Sequence, residues 1–358
     1  MAVEAVSDVH TRSTTAPIAS EDGNGHSGVP STVGPVKVGV LQFFSWPERR
    51  VPIEHVYARA LERIGVMDRA GYDAVWLAEH HFTTYSVCPS VHLMALAAAQ
   101  RTERLRIGTA VSLAALYHPL RLAEELALLD VLIGGRLNWG AGRGFEPAEF
   151  DAFGVPRDET APRFREAVEV VLEAWTSERL TFHGKYWDFD EVEVLPKPMQ
   201  RPHPPTWVAA TSPEAIGWAA AGGYSILMDP HATFSEIGAK YDRYVADLAA
   251  NGFPTPDDTP MARLLAVADT DDEAELVARA GAAWTLGAYG HGVPGESAAA
   301  DAERIERYVR ECIVWGSAGR VRDELARLTE EMRLRHLMIA PLSHESFLRF
   351  TDEVLPHV

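Results

Sequence analysis

Glu79, His80 and His81 stand in a row directly after the apolar run Ala74–Ala78. That run has the length and composition of a short strand buried on both faces. Parallel α/β folds keep their active sites at the carboxyl ends of strands, so a carboxylate and an imidazole there are placed for proton transfer. An unperturbed imidazole titrates near pH ~6.5, so His80 is expected to take and return a proton near neutrality, with Glu79 orienting it or capping the strand. A metal site is not expected. His80 and His81 would point to opposite faces of a strand, and the last strand ends in Ala340 and Pro341 rather than in a carboxylate.

A second cluster suits a phosphate. In Gly140–Gly144 the glycines beside Arg143 let backbone amides approach a ligand while the guanidinium pairs with phosphate oxygens. Thr211 and Ser212 precede Pro213, a residue fitted to a first helical turn, so the amino terminus of that helix can face an anion. A solvated arginine and an ordinary helix cap would explain each motif separately. Both at neighbouring strand ends favour a phosphorylated cofactor.

These residues need a scaffold that brings strand ends together. Short apolar runs at 36–44, 73–78, 105–112, 136–141, 206–210, 224–228, 261–268 and 336–340 alternate with segments of helical period, such as 162–176 with Phe164, Ala167, Val168, Val171, Leu172 and Trp175 on one face. Each strand is followed by a helix, which predicts a closed (β/α)8 TIM barrel rather than an open sheet. Residues 180–194 break the rhythm as a β-hairpin around His183 and Gly184, inserted after the fourth strand. The glycine-rich stretch 285–300 reads as a mobile insertion. Residues 1–35, rich in Ser, Thr, Gly and Pro, read as a disordered tail, which makes 36–358 a single domain.

Composition narrows the partners. A net charge of −18 disfavours nucleic acid and anionic membranes. The two cysteines, Cys88 and Cys312, lie far apart and suggest neither a zinc site nor a disulfide framework, which fits a reducing cytoplasm. No apolar run reaches the roughly 20 residues of a membrane span.

The ordered set Glu79-His80-His81-Phe82-Thr83, Gly108-Thr109-Ala110, His118-Pro119, Gly135-Arg136, Gly142-Arg143-Gly144, Phe153-Gly154, Phe182–Trp187 and Trp218-Ala219-Ala220 resembles the bacterial luciferase-like flavin monooxygenases. The resemblance runs from about residue 36 to 355, and past residue 285 it rests on the barrel pattern alone. It implies reduced FMN reacting with O2 to a flavin hydroperoxide that oxidises a small organic substrate. His80 matches the family's catalytic histidine, Arg143 its phosphate-binding arginine and Ser212 a phosphate-contacting serine. Thr109 and Ala110 match the segment beside the isoalloxazine, with a non-proline cis bond expected between Ala110 and Val111. Gly142, Thr211 and Ala215 stand where the light-emitting subunit has a cysteine, a glutamate and a threonine, which puts light emission in doubt and suggests a rearranged phosphate site.

A flavin oxygenation site must exclude water, and Phe43, Phe44, Trp46, Tyr85, Tyr117, Trp139 and Phe145 fall at strand ends where they can wall it. His118, ahead of Pro119 at a helix start, suits a structural role at least as well as a catalytic one. No glycine fingerprint for a nicotinamide cofactor follows a strand, so reduced flavin is expected from a separate reductase. Two alternatives stand beside this reading: hydride transfer with the deazaflavin F420, used by relatives with this barrel, and flavin binding without turnover. A homodimer is expected through helices near the second and third strands, because 90–101 is apolar on more faces than one barrel wall can bury.

Overall fold

The computed structural model describes residues 36–256, 259–289 and 298–358. The apolar runs form parallel strands β1 (Lys37–Gln42), β2 (Ala74–Leu77), β3 (Arg106–Thr109), β4 (Leu137–Gly142), β5 (Thr206–Ala209), β6 (Ser225–Leu227), β7 (Pro260–Ala268) and β8 (His336–Pro341). They pair in the order β7-β8-β1-β2-β3-β4-β5-β6. A parallel bridge between Met228, just after β6, and Met261 on β7 closes the ring. The strands are mostly apolar because helices cover them outside and side chains fill the barrel inside.

The helices are α1 (Ile53–Ala70), α2 (Val91–Ala99), α3 (Pro119–Leu132), α4 (Pro147–Phe153), α5 (Thr160–Thr176), α6 (Pro213–Ala221), α7 (Phe234–Ala250), α8 (Asp271–Tyr289), α9 (Ala298–Cys312), α10 (Ala318–Glu331) and α11 (His344–Arg349). Helix α1 shows why they dock: Ala60, Ile64 and Met67, at three- and four-residue steps, are buried, and Gly71 at φ 87° ends the helix by donating its N–H to the Met67 carbonyl. None of the described helices is long and apolar enough to cross a membrane. The expected hairpin is present after the fourth strand, with Leu180–His183 antiparallel to Asp188–Val192.

Two elements go beyond the sequence reading. Helix α9 runs straight into a strand, Ile313–Ser317, which extends the sheet beside the second half of β7. No turn residue separates them, so local sequence gives no punctuation there. Residues 285–289, expected in a mobile insertion, finish α8 instead, and Thr285 is buried. Residues 298–300 open α9, while 290–297 and the expected tail 1–35 lie outside the described residues.

The barrel floor is plugged. Trp76 and Trp207 meet edge to face inside it, ring centroids 5.2 Å apart. Trp76 fits only because β3 has a glycine opposite: a Cβ on Gly108 would lie 2.4 Å from the indole. Burying such a ring stabilises the fold by about 1.5–3 kcal/mol or more.

Candidate active site

All eight strands send a residue or a following loop to one cavity of about 290 Å³ at their carboxyl ends. Small inward residues make the space: Ala110, Gly142, Ala209 and Ala262 leave room where larger side chains would fill the barrel. Phe43, Glu79, His80, Ala110, Arg143, Thr211 and Ser212, proposed from sequence, all line it.

His80 is buried at 7% exposure, with Phe43, Tyr85 and Phe145 around it at ring-centroid distances of 6.4, 5.5 and 6.1 Å. Burial, helped by the nearby His231 and His81, lowers its pKa to about 4. This corrects the expectation of an imidazole titrating near neutrality: His80 is neutral at pH 7 because apolar rings replace the water that would solvate its charge. Glu79 is also buried, but its carboxylate accepts the Leu113 N–H at 3.0 Å and the Tyr117 hydroxyl at 2.8 Å and pairs with His81 Nε2 at 3.1 Å. Those bonds make it an anchor for the loop after β3. The carboxylate beside His80 is Glu149 on α4, 4.0 Å from Nδ1, which also accepts the His81 N–H at 2.9 Å. Burial raises the Glu149 pKa. Sequence reading missed it because α4 lies far along the chain from β2.

The lowered pKa of His80 has a consequence for stability. In the unfolded chain an imidazole takes its proton as pH falls through about 6.5, whereas folded His80 waits until about 4. Between those values the unfolded state holds more protons, so stability falls on acidification, by about 3 kcal/mol across the whole window. Glu149, more easily protonated in the fold, offsets part of that loss. Thermal melts between pH 7 and pH 4.5 are expected to show a smaller acid loss for His80→Gln than for the parent chain. Equal acid loss in both would mean that His80 is not held neutral.

The other end of the cavity is cationic. Arg143 is exposed at the cavity wall and has no ion-pair partner among the described residues. A second guanidinium that sequence reading missed, Arg165 on α5, lines the same end, stacks over Trp218 at 5.7 Å and pairs with Glu214 at 2.6 Å. Ser212 caps α6, its Oγ accepting the Ala215 N–H at 3.2 Å, and Pro213 occupies the first turn. A hydroxyl that accepts this bond still has its own proton to donate outward. The Ala110–Val111 bond is cis, as expected. Beside it Gly142 is required, since a Cβ there would lie 2.2 Å from a Val111 methyl.

Two residues proposed as cofactor contacts face elsewhere. Trp139 points outward and meets Trp175 of α5 edge to face at 5.1 Å. Thr109 is fully buried, its hydroxyl bonding the Gly140 carbonyl at 2.7 Å and the Gly140 N–H at 3.0 Å, so it clasps β3 to β4. Of the expected wall, Phe43 and Phe145 line the cavity and Tyr85 packs on His80. Phe44 is buried in the outer core, and the Trp46 indole bonds the Val51 carbonyl. His118 packs against Trp187 of the hairpin at 4.8 Å, a structural contact.

The residues fit FMN: an apolar pocket with a neutral imidazole suits a flat ring, and the Arg143, Ser212 and α6 end suits its phosphate.

The architecture and the site are those of a (β/α)8 barrel with its ligand cavity at the strand carboxyl ends. The family model for luciferase-like monooxygenases matches residues 36–336, and the chain belongs to that family. The uncharacterized protein y4wF of Sinorhizobium fredii is 43% identical over 170 residues, 48% of this chain and 50% of its own length. The oxygenase component of the flavin-dependent trigonelline monooxygenase of Acinetobacter baylyi is 30% identical over 179 residues, 49% of each chain. These matches span about half the length of the curated relatives. Among solved structures, monooxygenase RslO1 from Streptomyces bottropensis superposes with TM-score 0.80 at 27% identity, covering 90% of this chain and 99% of that one.

Proposed function

We propose that the chain is the oxygenase of a two-protein system: it binds reduced FMN in this cavity and, with O2, oxidises a small organic substrate. The observation that carries this reading is the polarity of the cavity, with buried neutral His80 at one end and Arg143, Ser212 and the α6 amino terminus at the other. Bound reduced FMN supplies the electrons that activate O2. The chain's own part is to hold the phosphate at Arg143, to keep water from the ring with Phe43 and Phe145, and to accept or return a proton at His80, whose protonated form Glu149 would stabilise. The trigonelline enzyme's description as an oxygenase component supports a separate reductase.

Anaerobic titration with reduced FMN and, separately, reduced F420 tests the reading. Tighter binding of reduced FMN, followed by oxidation of the bound flavin on adding O2, is expected. A preference for F420, whose binding is described for barrels that share this fold at 20% identity, would replace oxygenation with hydride transfer. Binding of FMN without turnover of any substrate would leave a flavin carrier.

We also propose a homodimer through α2 and α3. Leu93 at 73% exposure and Leu132 at 59% stand on these neighbouring helices together with Leu128 and Val131. Light scattering at micromolar concentration should give twice the chain mass; a monomer would mean that this apolar face is simply solvated.

A further inference from the structure

The cationic end of the cavity holds an anion of its own. Glu214 lines that end together with Arg143, Arg165, Thr211, Ser212 and Trp218. It stands in the first turn of α6, just past the Ser212 cap, and its Oε1 accepts an N–H of Arg165 at 2.6 Å. A carboxylate set between a guanidinium and a helix amino terminus has the same two partners that a phosphate would take there.

The two members of this ion pair are held very differently. The Arg165 side chain is 30% exposed and lies over the Trp218 ring at 5.7 Å. Trp218 is itself packed against Phe164 and Tyr224, with ring centroids 5.6 and 5.0 Å away. Stacking on that aromatic pile keeps the guanidinium in place. The Glu214 side chain is 78% exposed and can swing into solvent. An exposed ion pair of this kind is worth no more than about a fivefold change in an equilibrium, so an arriving anion can displace it.

Charge decides which anion wins. The lining residues of this end carry two guanidinia, Arg143 and Arg165, against the one carboxylate of Glu214. Other acids on α5 leave that count unchanged: the Glu166 carboxylate is taken by the N–H groups of Lys185 and Tyr186, and Glu169 is exposed and does not line the cavity. A phosphate monoester brings about 1.5 to 2 negative charges, more than Glu214 offers the same guanidinium.

We propose that Glu214 is a built-in competitor that sets the affinity for the cofactor: it occupies Arg165 when no phosphate is bound, gives way to the phosphate, and takes Arg165 back as the flavin leaves. Arg143 captures the phosphate, and Arg165 joins only when Glu214 is displaced. The inference rests on the oxygenase reading, in which flavin must enter reduced and depart oxidised at each turnover. A carboxylate that contests half of the cationic end raises the dissociation rate and keeps that exchange fast.

Reduced FMN, reduced riboflavin and inorganic phosphate, each titrated anaerobically against the full chain at low ionic strength, make the test. Glu214→Gln keeps the size and polarity of the side chain and removes its charge. It should tighten FMN binding about three- to fivefold, slow FMN dissociation by a similar factor and leave riboflavin affinity unchanged. Glu214→Ala, which removes the partner altogether, should do at least as much. With Arg165→Met also present, the gain from Glu214→Gln should fall below about twofold, because the contested group is gone. FMN affinity unchanged or weakened in Glu214→Gln, an equal gain for riboflavin, or a full gain that survives Arg165→Met would each overturn the assignment. A parent chain that binds neither flavin would instead sink the oxygenase reading, and inorganic phosphate would then decide: tighter phosphate binding by Glu214→Gln than by the parent chain upholds the competition at Arg165, and equal binding overturns it.

Discussion

His80→Ala is expected to lower steady-state turnover under reduced FMN and O2 by roughly a hundredfold or more, the usual weight of a positioned proton carrier. The reason is where the imidazole sits. It is the ionisable ring at the apolar end of the cavity, enclosed by Phe43, Tyr85 and Phe145, with Glu149 4.0 Å from Nδ1. Kept neutral by burial, it holds a lone pair ready to accept a proton from a reacting group, and the Glu149 carboxylate would then steady the imidazolium. Alanine removes the acceptor and its ring contacts, while the residue's backbone N–H still bonds the Cys88 carbonyl at 3.2 Å. Reduced-FMN affinity and circular dichroism should therefore stay near those of the parent chain while turnover collapses. Turnover unchanged within a factor of two or three would remove His80 from the reaction.

The barrel was legible in the sequence because its physics is local. Short runs buried on both faces, alternating with helical periods, leave few other folds, and strand ends announce themselves where apolar runs stop at Glu79 or at Gly142. Which face a strand residue takes is less secure, since an error of one position moves a side chain to the other side of the wall. Trp139 and Thr109 show this: their even-numbered neighbours Gly140 and Gly108 face the interior, so both side chains point out. Glu149, Arg165 and Asp229 were beyond local reading for another reason. They come from helices and loops whose nearness to His80 or Arg143 exists only once the barrel closes. The lowered pKa of His80 belongs to the same class, because desolvation is a property of the packed site and not of the residues next to it in sequence.

Arg143→Ala is expected to weaken reduced-FMN binding by about 1.5–3 kcal/mol, roughly ten- to a hundredfold or somewhat more. The expectation follows from how the two guanidinia at this end are engaged. Arg165 already holds Glu214 at 2.6 Å and lies over Trp218, so a phosphate must compete with an existing partner for it. Arg143 stands between glycines at the cavity wall with no ion pair among the described residues, so phosphate binding breaks nothing there. Removing it should cost more than removing Arg165, and the loss should shrink as salt is raised because the group is exposed. The control is riboflavin, which has the same ring without the phosphate. Its affinity should be indifferent to Arg143→Ala, and the parent chain should prefer FMN by about the amount the substitution removes. Equal affinities for FMN and riboflavin in the parent chain would show that the cationic end does not hold the phosphate, and the orientation of the flavin in the cavity would have to be reversed.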